Sequence, residues 1–206
     1  MTLIKICGIT NVEDALAAVD AGADALGFNF YKLSPRYITP QTARQIIDEL
    51  PNGVLTVGVF VNEDSPQSVA DLARHAGVTA IQLHGDESPE YCRQLAHHYV
   101  IKALGAVPGL DAQTYDVDAI MLDTKDDSLR GGTGRVFNWT IAREVKQHLV
   151  PKLFLAGGLG PENVEAAITM VDPYAVDACS ALEETPGKKN HERMQTFVKI
   201  VRNVKP

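Results

Sequence analysis

Cys7 closes a short apolar run, Leu3–Cys7, and stands directly before Gly8. This places a thiol at a strand end beside a turn, with a helix expected to begin within about three residues. A cysteine so placed has a route to the thiolate, because positive groups and helix N-termini pull its pKa well below the free value of roughly 8.5. The plainer reading is a small buried core residue, since free cysteines pack as hydrophobes. Asp123 ends a second apolar run, Ala119–Leu122. Burial there favours the neutral acid; the plainer reading is a helix cap or a loop-ordering carboxylate. A carboxylic acid and a thiolate base in one site are the parts of a proton-transfer reaction. Asn29, His84, Gly157-Gly158 and Asp177 with Ser180-Ala181 stand at or just beyond the ends of other runs, and Arg36 lies in the second connection. Backbone N–H groups at Gly157-Gly158 and Ser180-Ala181, near helix starts, suit a phosphate, although glycines also simply permit tight turns. Gly131-Gly-Thr-Gly134 lacks the Lys-Ser/Thr ending of a P-loop. It reads equally as loop ordering over a substrate or as direct contact, and Asp126 and Asp127 before it read as solvated.

The elements that must position these residues are legible as two alternating patterns. One apolar stripe at i, i+3, i+4, i+7 recurs at Val12/Ala15/Leu16/Val19, Ala43/Ile46/Ile47/Leu50, Val69/Leu72/Ala73/Ala76, Cys92/Leu95/Ala96/Tyr99, Val164/Ala167/Ile168/Val171 and Met194/Phe197/Val198/Val201. Each predicts a one-sided helix, and a further helix is expected from Asn138 to Leu149. Thr10 with Glu13 reads as a capping box, and Thr39-Pro40, Ser65-Pro66 and Ser88-Pro89 as caps before a first-turn proline. Gly22, Pro51 and Gly77 mark stops.

Between the helices lie runs too short to be helical: Leu3–Cys7, Ala25–Phe28, Val54–Val61, Ala80–Leu83, Val100–Leu104, Ala119–Leu122, Leu153–Ala156 and Ala175–Ala178. Buried parallel strands have this continuous apolar character. Eight such strands in 206 residues predict an α/β fold, a single (β/α)8 barrel with an eight-stranded parallel sheet, near the lower size limit of about 200 residues. A doubly wound open sheet is the rival, but no Gly-x-Gly-x-x-Gly turn follows the first strand. The segment from Gly8 to Val19 also weakly echoes Gly158 to Ile168. No linker or composition break divides the chain, so residues 1–206 are expected to form one domain. Active sites in this fold sit where strands end and the following loops begin, which is where the chemistry-bearing residues fall.

Nineteen basic against 26 acidic residues give a net charge of −7, which argues against nucleic acid or an anionic membrane as partner. Cys7, Cys92 and Cys179 have neither disulfide-framework nor metal-ligand spacing, and a reducing cytoplasmic compartment fits them. No signal peptide pattern opens the chain, and no run approaches the ~20 apolar residues of a spanning helix. Cys92 lies on an apolar stripe and reads as core. His97 and His98, on the fourth helix, read as two solvated side chains. Lys102 reads as a barrel-interior or ion-paired residue rather than a Schiff-base lysine.

Lys5-Ile-Cys-Gly-Ile-Thr10, Gly58-Val-Phe-Val-Asn62, Gln82-Leu-His-Gly85, Leu122-Asp-Thr124, Gly131-Gly-Thr-Gly134 and Gly157-Gly158, in that order and with Pro186-Gly-Lys-Lys-Asn190 beyond them, resemble the phosphoribosylanthranilate isomerases of tryptophan biosynthesis. The resemblance implies an Amadori rearrangement of N-(5'-phosphoribosyl)anthranilate, with Asp123 as general acid at the furanose ring oxygen and Cys7 as general base at C2′. It implies Arg36 near the anthranilate carboxylate, Asp177 near the sugar hydroxyls and His84 lining the pocket. A small phosphorylated substrate is the expected partner. No cofactor or metal is expected, because the iminium of the opened sugar is its own electron sink. Monomer and homodimer both remain open.

Some positions depart from the family pattern. Cys179-Ser180-Ala181 stands where Ser-Ser-Gly is usual, so a weaker donor and a residue poorly suited to positive φ enter the expected phosphate loop. Asn138 stands where aspartate is common and caps equally well. Asn29 is also unusual and alters the expected polarity of the pocket. Two other classes of function are retained beside the isomerase: another phosphosugar barrel enzyme, an epimerase or a lysine aldolase, and a catalytically silent ligand-binding barrel.

Overall fold

Eight parallel strands close on themselves in sequence order: β1 (Leu3–Cys7), β2 (Ala25–Asn29), β3 (Leu55–Phe60), β4 (Ala80–Leu83), β5 (Tyr99–Gly105), β6 (Ala119–Asp123), β7 (Lys152–Leu155) and β8 (Ala175–Ala178). The structure is a computed structural model that describes residues 1–123, 139–148 and 151–204. Closure is made by β1 against β8, with Lys5 opposite Asp177 and Ile6 opposite Ala178. Around the barrel run α1 (Val12–Ala21), α2 (Pro40–Ile47), α3 (Pro66–Ala76), α4 (Pro89–Arg93), α5 (Trp139–His148), α6 (Val164–Val171) and α7 (His191–Asn203). A small hairpin, β9 (Glu183–Thr185) with β10 (Lys188–Lys189), precedes α7. The connection after β5 holds only a 3-10 turn at Ala112–Thr114 instead of an α-helix. Pro108 and Gly109 interrupt that short connection, leaving no room for a helical stripe.

Side chains alternate across each strand, and two apolar layers result. Ala25, Val57, Ala80, Ile101, Ala103, Ala119, Met121, Phe154 and Ala175 fill the barrel. Ile4, Ile6, Leu26, Phe28, Phe60, Ile81, Leu83, Ile120, Leu122 and Val176 point outward and pack with the helices. The same alternation settles Lys102. Ile101 and Ala103 take the interior, so Lys102 faces outward beneath the helices, where Nζ donates to Glu87 Oε2 at 2.7 Å and to Gly85 O at 2.6 Å. It is ion-paired but does not lie in the barrel interior.

Other local expectations are corrected. The cap of α1 is Asn11, whose side chain accepts from the Asp14 N–H, while Thr10 donates to the Gly187 carbonyl in the hairpin turn. Ala15 and Ala18 form the buried stripe of α1, and Leu16 is exposed. The fourth helix ends at Arg93; Tyr99 begins β5, its ring beneath the Lys152 ammonium. His97 and His98 therefore lie in the turn after α4, their rings 4.3 Å apart. Caps at Thr39, Ser65 and Ser88, each before a proline, and left-handed ends at Gly22 and Gly77 form as expected. Asp126, Asp127, Gly131–Gly134, Asn138 and Leu149 lie outside the described residues. No helix among the described residues is long and apolar enough to cross a membrane.

The Lys102–Glu87 pair is nearly solvent-free, with side-chain exposures of 1% and 2%. Removing one partner strands the other charge, which typically costs about 3–5 kcal/mol. We expect Lys102→Met to lower stability to urea by that amount and Lys102→Met/Glu87→Gln to recover part of it. A loss below about 1 kcal/mol, the worth of an exposed pair, would contradict this account.

Candidate active site

The strand ends and the loops after them enclose a cavity of about 320 Å³. Nine of the residues singled out from the sequence line it: Cys7, Arg36, His84, Asp123, Gly157, Gly158, Asp177, Ser180 and Ala181. The inward positions of β1, β4, β6 and β8 supply Cys7, Gln82, Asp123 and Asp177. A cavity of this size with a few convergent polar groups suits a small-molecule ligand.

Cys7 stands over a buried ion pair. Lys5, two residues earlier on the same face of β1, is fully buried and donates to Asp177 Oδ1 at 2.7 Å. Gly27 on β2 makes room for this arrangement: a Cβ there would lie 2.7 Å from Cys7 Sγ and 3.1 Å from Lys5 Nζ. Cys179, just beyond β8, brings a second thiol to the same cavity. The hydrogen bond from Cys179 lowers the Cys7 pKa most; burial opposes it, and the Lys5 and Lys189 charges reinforce it. The Cys7 pKa accordingly lies well below the ordinary thiol value. The same hydrogen bond, with burial, drives Cys179 upward. Burial also pushes Asp177 up to about 6 against the pull of Lys5. Cys92, packed in the outer core away from the cavity, is pushed up to about 11 by burial. Of the three thiols, only Cys7 is poised as a thiolate.

Asp123 faces this group from the end of β6, three strands away around the barrel. Its Oδ2 lies 3.1 Å from His84 Nε2, and His84 Nδ1 lies 2.8 Å from Gln82 Nε2. Arg36 reaches over Gly8, where a Cβ would lie 2.7 Å from its Cδ. Its Nε and Nη2 donate to the Glu183 carboxylate at 2.6–3.1 Å. These bonds outweigh the opposing burial and raise the guanidinium pKa. Nη1 is left without a partner among the described residues. Asn29 lines the cavity too, but its Oδ1 accepts from the Tyr31 N–H and so braces its own loop.

The opposite wall is made by the loops after β7 and β8. Gly157 and Gly158 have φ of 91° and 66°, a backbone that L side chains rarely adopt. A Cβ on Gly158 would meet nothing within 4 Å, so its glycine is required by conformation and not by crowding. Asn163 ties this loop to the start of α6, accepting from Gly160 N and donating to Gly158 O. Ser180-Ala181-Leu182 forms a 3-10 turn, and Ala181 does not have positive φ. The conformational objection to alanine here is therefore removed. Arg193 links both loops, donating to Ala181 O and to Glu162.

Several contributors went unrecognised in the sequence. Lys5 was legible in principle, because a cation inside an apolar strand, two residues before Cys7, must share its inward face. Cys179 enters the sequence reading only as a weaker donor in the phosphate loop, whereas in the structure it acts on Cys7. Lys189, fully buried and paired with Glu183 at 3.0 Å, sits at the far end of the chain with no local signal of its place. Gln82 shares a face with His84 by the same two-residue period.

The family model for N-(5'-phosphoribosyl)anthranilate isomerase matches residues 4–200. The isomerase of Thermotoga neapolitana is 50% identical over 203 residues, covering 97% of this chain and 98% of that relative. The structure of the Thermotoga maritima phosphoribosyl anthranilate isomerase superposes with a TM-score of 0.89 at 45% identity, covering 98% of this chain and 99% of that one. A phosphoribosyl anthranilate isomerase in complex with reduced 1-(o-carboxyphenylamino)-1-deoxyribulose 5-phosphate superposes with a TM-score of 0.86 at 43% identity, with the same coverage of both chains. On the fold, the matched length and these identities, the chain belongs to the N-(5'-phosphoribosyl)anthranilate isomerase family.

Proposed function

We propose that this chain converts N-(5'-phosphoribosyl)anthranilate to 1-(2-carboxyphenylamino)-1-deoxyribulose 5-phosphate, with Asp123 as general acid and Cys7 as general base. The observation that carries this reading is a thiol beside a buried ammonium and a carboxyl group, projecting from different strands into one cavity. Asp123 gives its proton to the furanose ring oxygen as the C1′–O bond breaks, and the anthranilate nitrogen lone pair forms the iminium. The Cys7 thiolate takes the C2′ proton, and the released electron pair neutralises the iminium to an enolamine. Tautomerisation then gives the ketone. One acid and one base, each held near its working protonation state, are what such an aldose–ketose rearrangement requires.

The phosphate is assigned to the Gly157-Gly158 and Ser180-Ala181 loops, whose backbone N–H groups need no side chain to receive it. Arg36, held by Glu183 with Nη1 uncommitted, is assigned to the anthranilate carboxylate, a pairing that suits a guanidinium. Asp177 is assigned to the sugar hydroxyls and to holding Lys5 beneath Cys7. Lys102 faces away from the cavity, which removes support for a lysine aldolase acting through it.

The fall in anthranilate fluorescence with freshly made phosphoribosylanthranilate measures the reaction. Cys7→Ser and Asp123→Asn should each reduce kcat by about 10²–10⁴-fold with little change in product-analogue affinity. Near-normal turnover in either variant would remove its assignment. Arg36→Ala should act mainly on KM; a pure kcat defect would argue against contact with the carboxylate. Iodoacetamide should alkylate Cys7 at a pH well below that needed for Cys92, because the thiolate is the nucleophile. Cys179→Ala should move that profile upward, since it removes the hydrogen bond to sulfur. An unmoved profile would show that Lys5 and Lys189 alone hold the thiolate.

A further inference from the structure

Gln82 projects inward from β4 beneath His84 and is 1% exposed. Its Nε2 lies 2.8 Å from His84 Nδ1, and its Oε1 has no hydrogen-bond partner among the described residues. A neutral imidazole carries one donor and one acceptor nitrogen. An amide N–H can only donate, so against it Nδ1 is the acceptor. The ring proton then resides on Nε2, 3.1 Å from Asp123 Oδ2. We propose that Gln82 is a positioning residue that fixes His84 as the Nε2–H tautomer, so that the imidazole donates to the Asp123 carboxylate left behind by proton transfer. This inference rests on the acid role of Asp123 proposed above.

The step balances without any change at the histidine. The Asp123 O–H bond breaks and an O–H bond forms on the sugar ring oxygen, which also keeps the electron pair of the broken C1′–O bond. Negative charge appears on Asp123, and the Nε2–H···Oδ2 contact becomes a charge-assisted bond, shorter and stronger than before. The interaction therefore strengthens as the transition state develops, which is what raises kcat rather than ground-state binding. With the proton on Nδ1, a bare Nε2 lone pair would face the new carboxylate and repel it. A Gln82 amide rotated by half a turn would impose that opposite tautomer, because its carbonyl would accept from Nδ1–H. Such a pairing suits Asp123 only while it is protonated.

Long-range proton–nitrogen NMR spectra of protein labelled with 15N-histidine read the tautomer directly, with His84 assigned by its loss in His84→Asn. The wild type should show the Nε2–H form. Gln82→Met should give a mixture of tautomers and lower kcat about tenfold while leaving KM within about twofold. Gln82→Glu nearly preserves shape but can only accept at that position; it should move the proton to Nδ1 and lower kcat at least as far. It also keeps the test open if the methionine variant does not fold. An Nδ1–H tautomer in the wild type, or unchanged tautomer and kcat in the folded variants, would overturn the proposal. If Asp123→Asn is inactive in those circumstances, the acid assignment stands and only the role of Gln82 falls. Near-normal turnover of Asp123→Asn would instead remove the acid reading itself.

Discussion

The buried pair of Lys5 with Asp177 is the constraint on which the site depends. It joins the first strand to the last at the line where the barrel closes, and the lysine is wholly shielded from water. Such a pair is a poor device for stability, since removing two charges from water offsets much of their mutual attraction. Its consequence lies above it. An ammonium is fixed beneath Cys7, the carboxylate keeps it charged, and Gly27 leaves the space both need. The neighbouring thiol of Cys179 lowers the Cys7 pKa most, and this ammonium reinforces it. Burial opposes the charged form of both partners and pushes Asp177 up to about 6.

How much of this was legible in the sequence depends on the range of the interaction. The eight strands were visible because both faces of each are buried and their apolar runs are continuous. Helix starts were visible where a cap preceded a proline. Tyr99 misled because a helical period fits it equally well, and its pairing opposite Ala80 in β5 overrode that period. The capping box at Thr10 failed because Asn11 competed successfully and the hairpin claimed the threonine hydroxyl. The positions of the cavity residues followed from the fold, since strand ends converge on one rim. Their couplings did not: Cys179 beside Cys7 and Lys189 beside Glu183 are products of barrel closure, and no local pattern encodes them.

The departure at Ala181 shows how a loop accommodates a lost glycine. The 3-10 turn keeps the residue out of the left-handed region, and its methyl group takes up space beside Gly160, where a Cβ would approach to 3.0 Å. Arg193 then fixes the spacing between the two loops. The charged tethers at this rim, Arg36–Glu183–Lys189 and Arg193, all draw on the C-terminal segment.

Cys7 leaves the ribosome well before Asp177, Cys179 and Lys189 do. Lys5 and its carboxylate are separated by 172 positions along the chain. Until that distant segment docks, the sulfur has neither its hydrogen-bond donor nor its fixed cations, and it is an ordinary thiol in an unfinished sheet. Because synthesis proceeds from the N-terminus at about 5–20 residues per second, the nascent chain carries Cys7 for many seconds in its unreactive form. The environment that lowers the Cys7 pKa thus exists only once the ring of strands has closed.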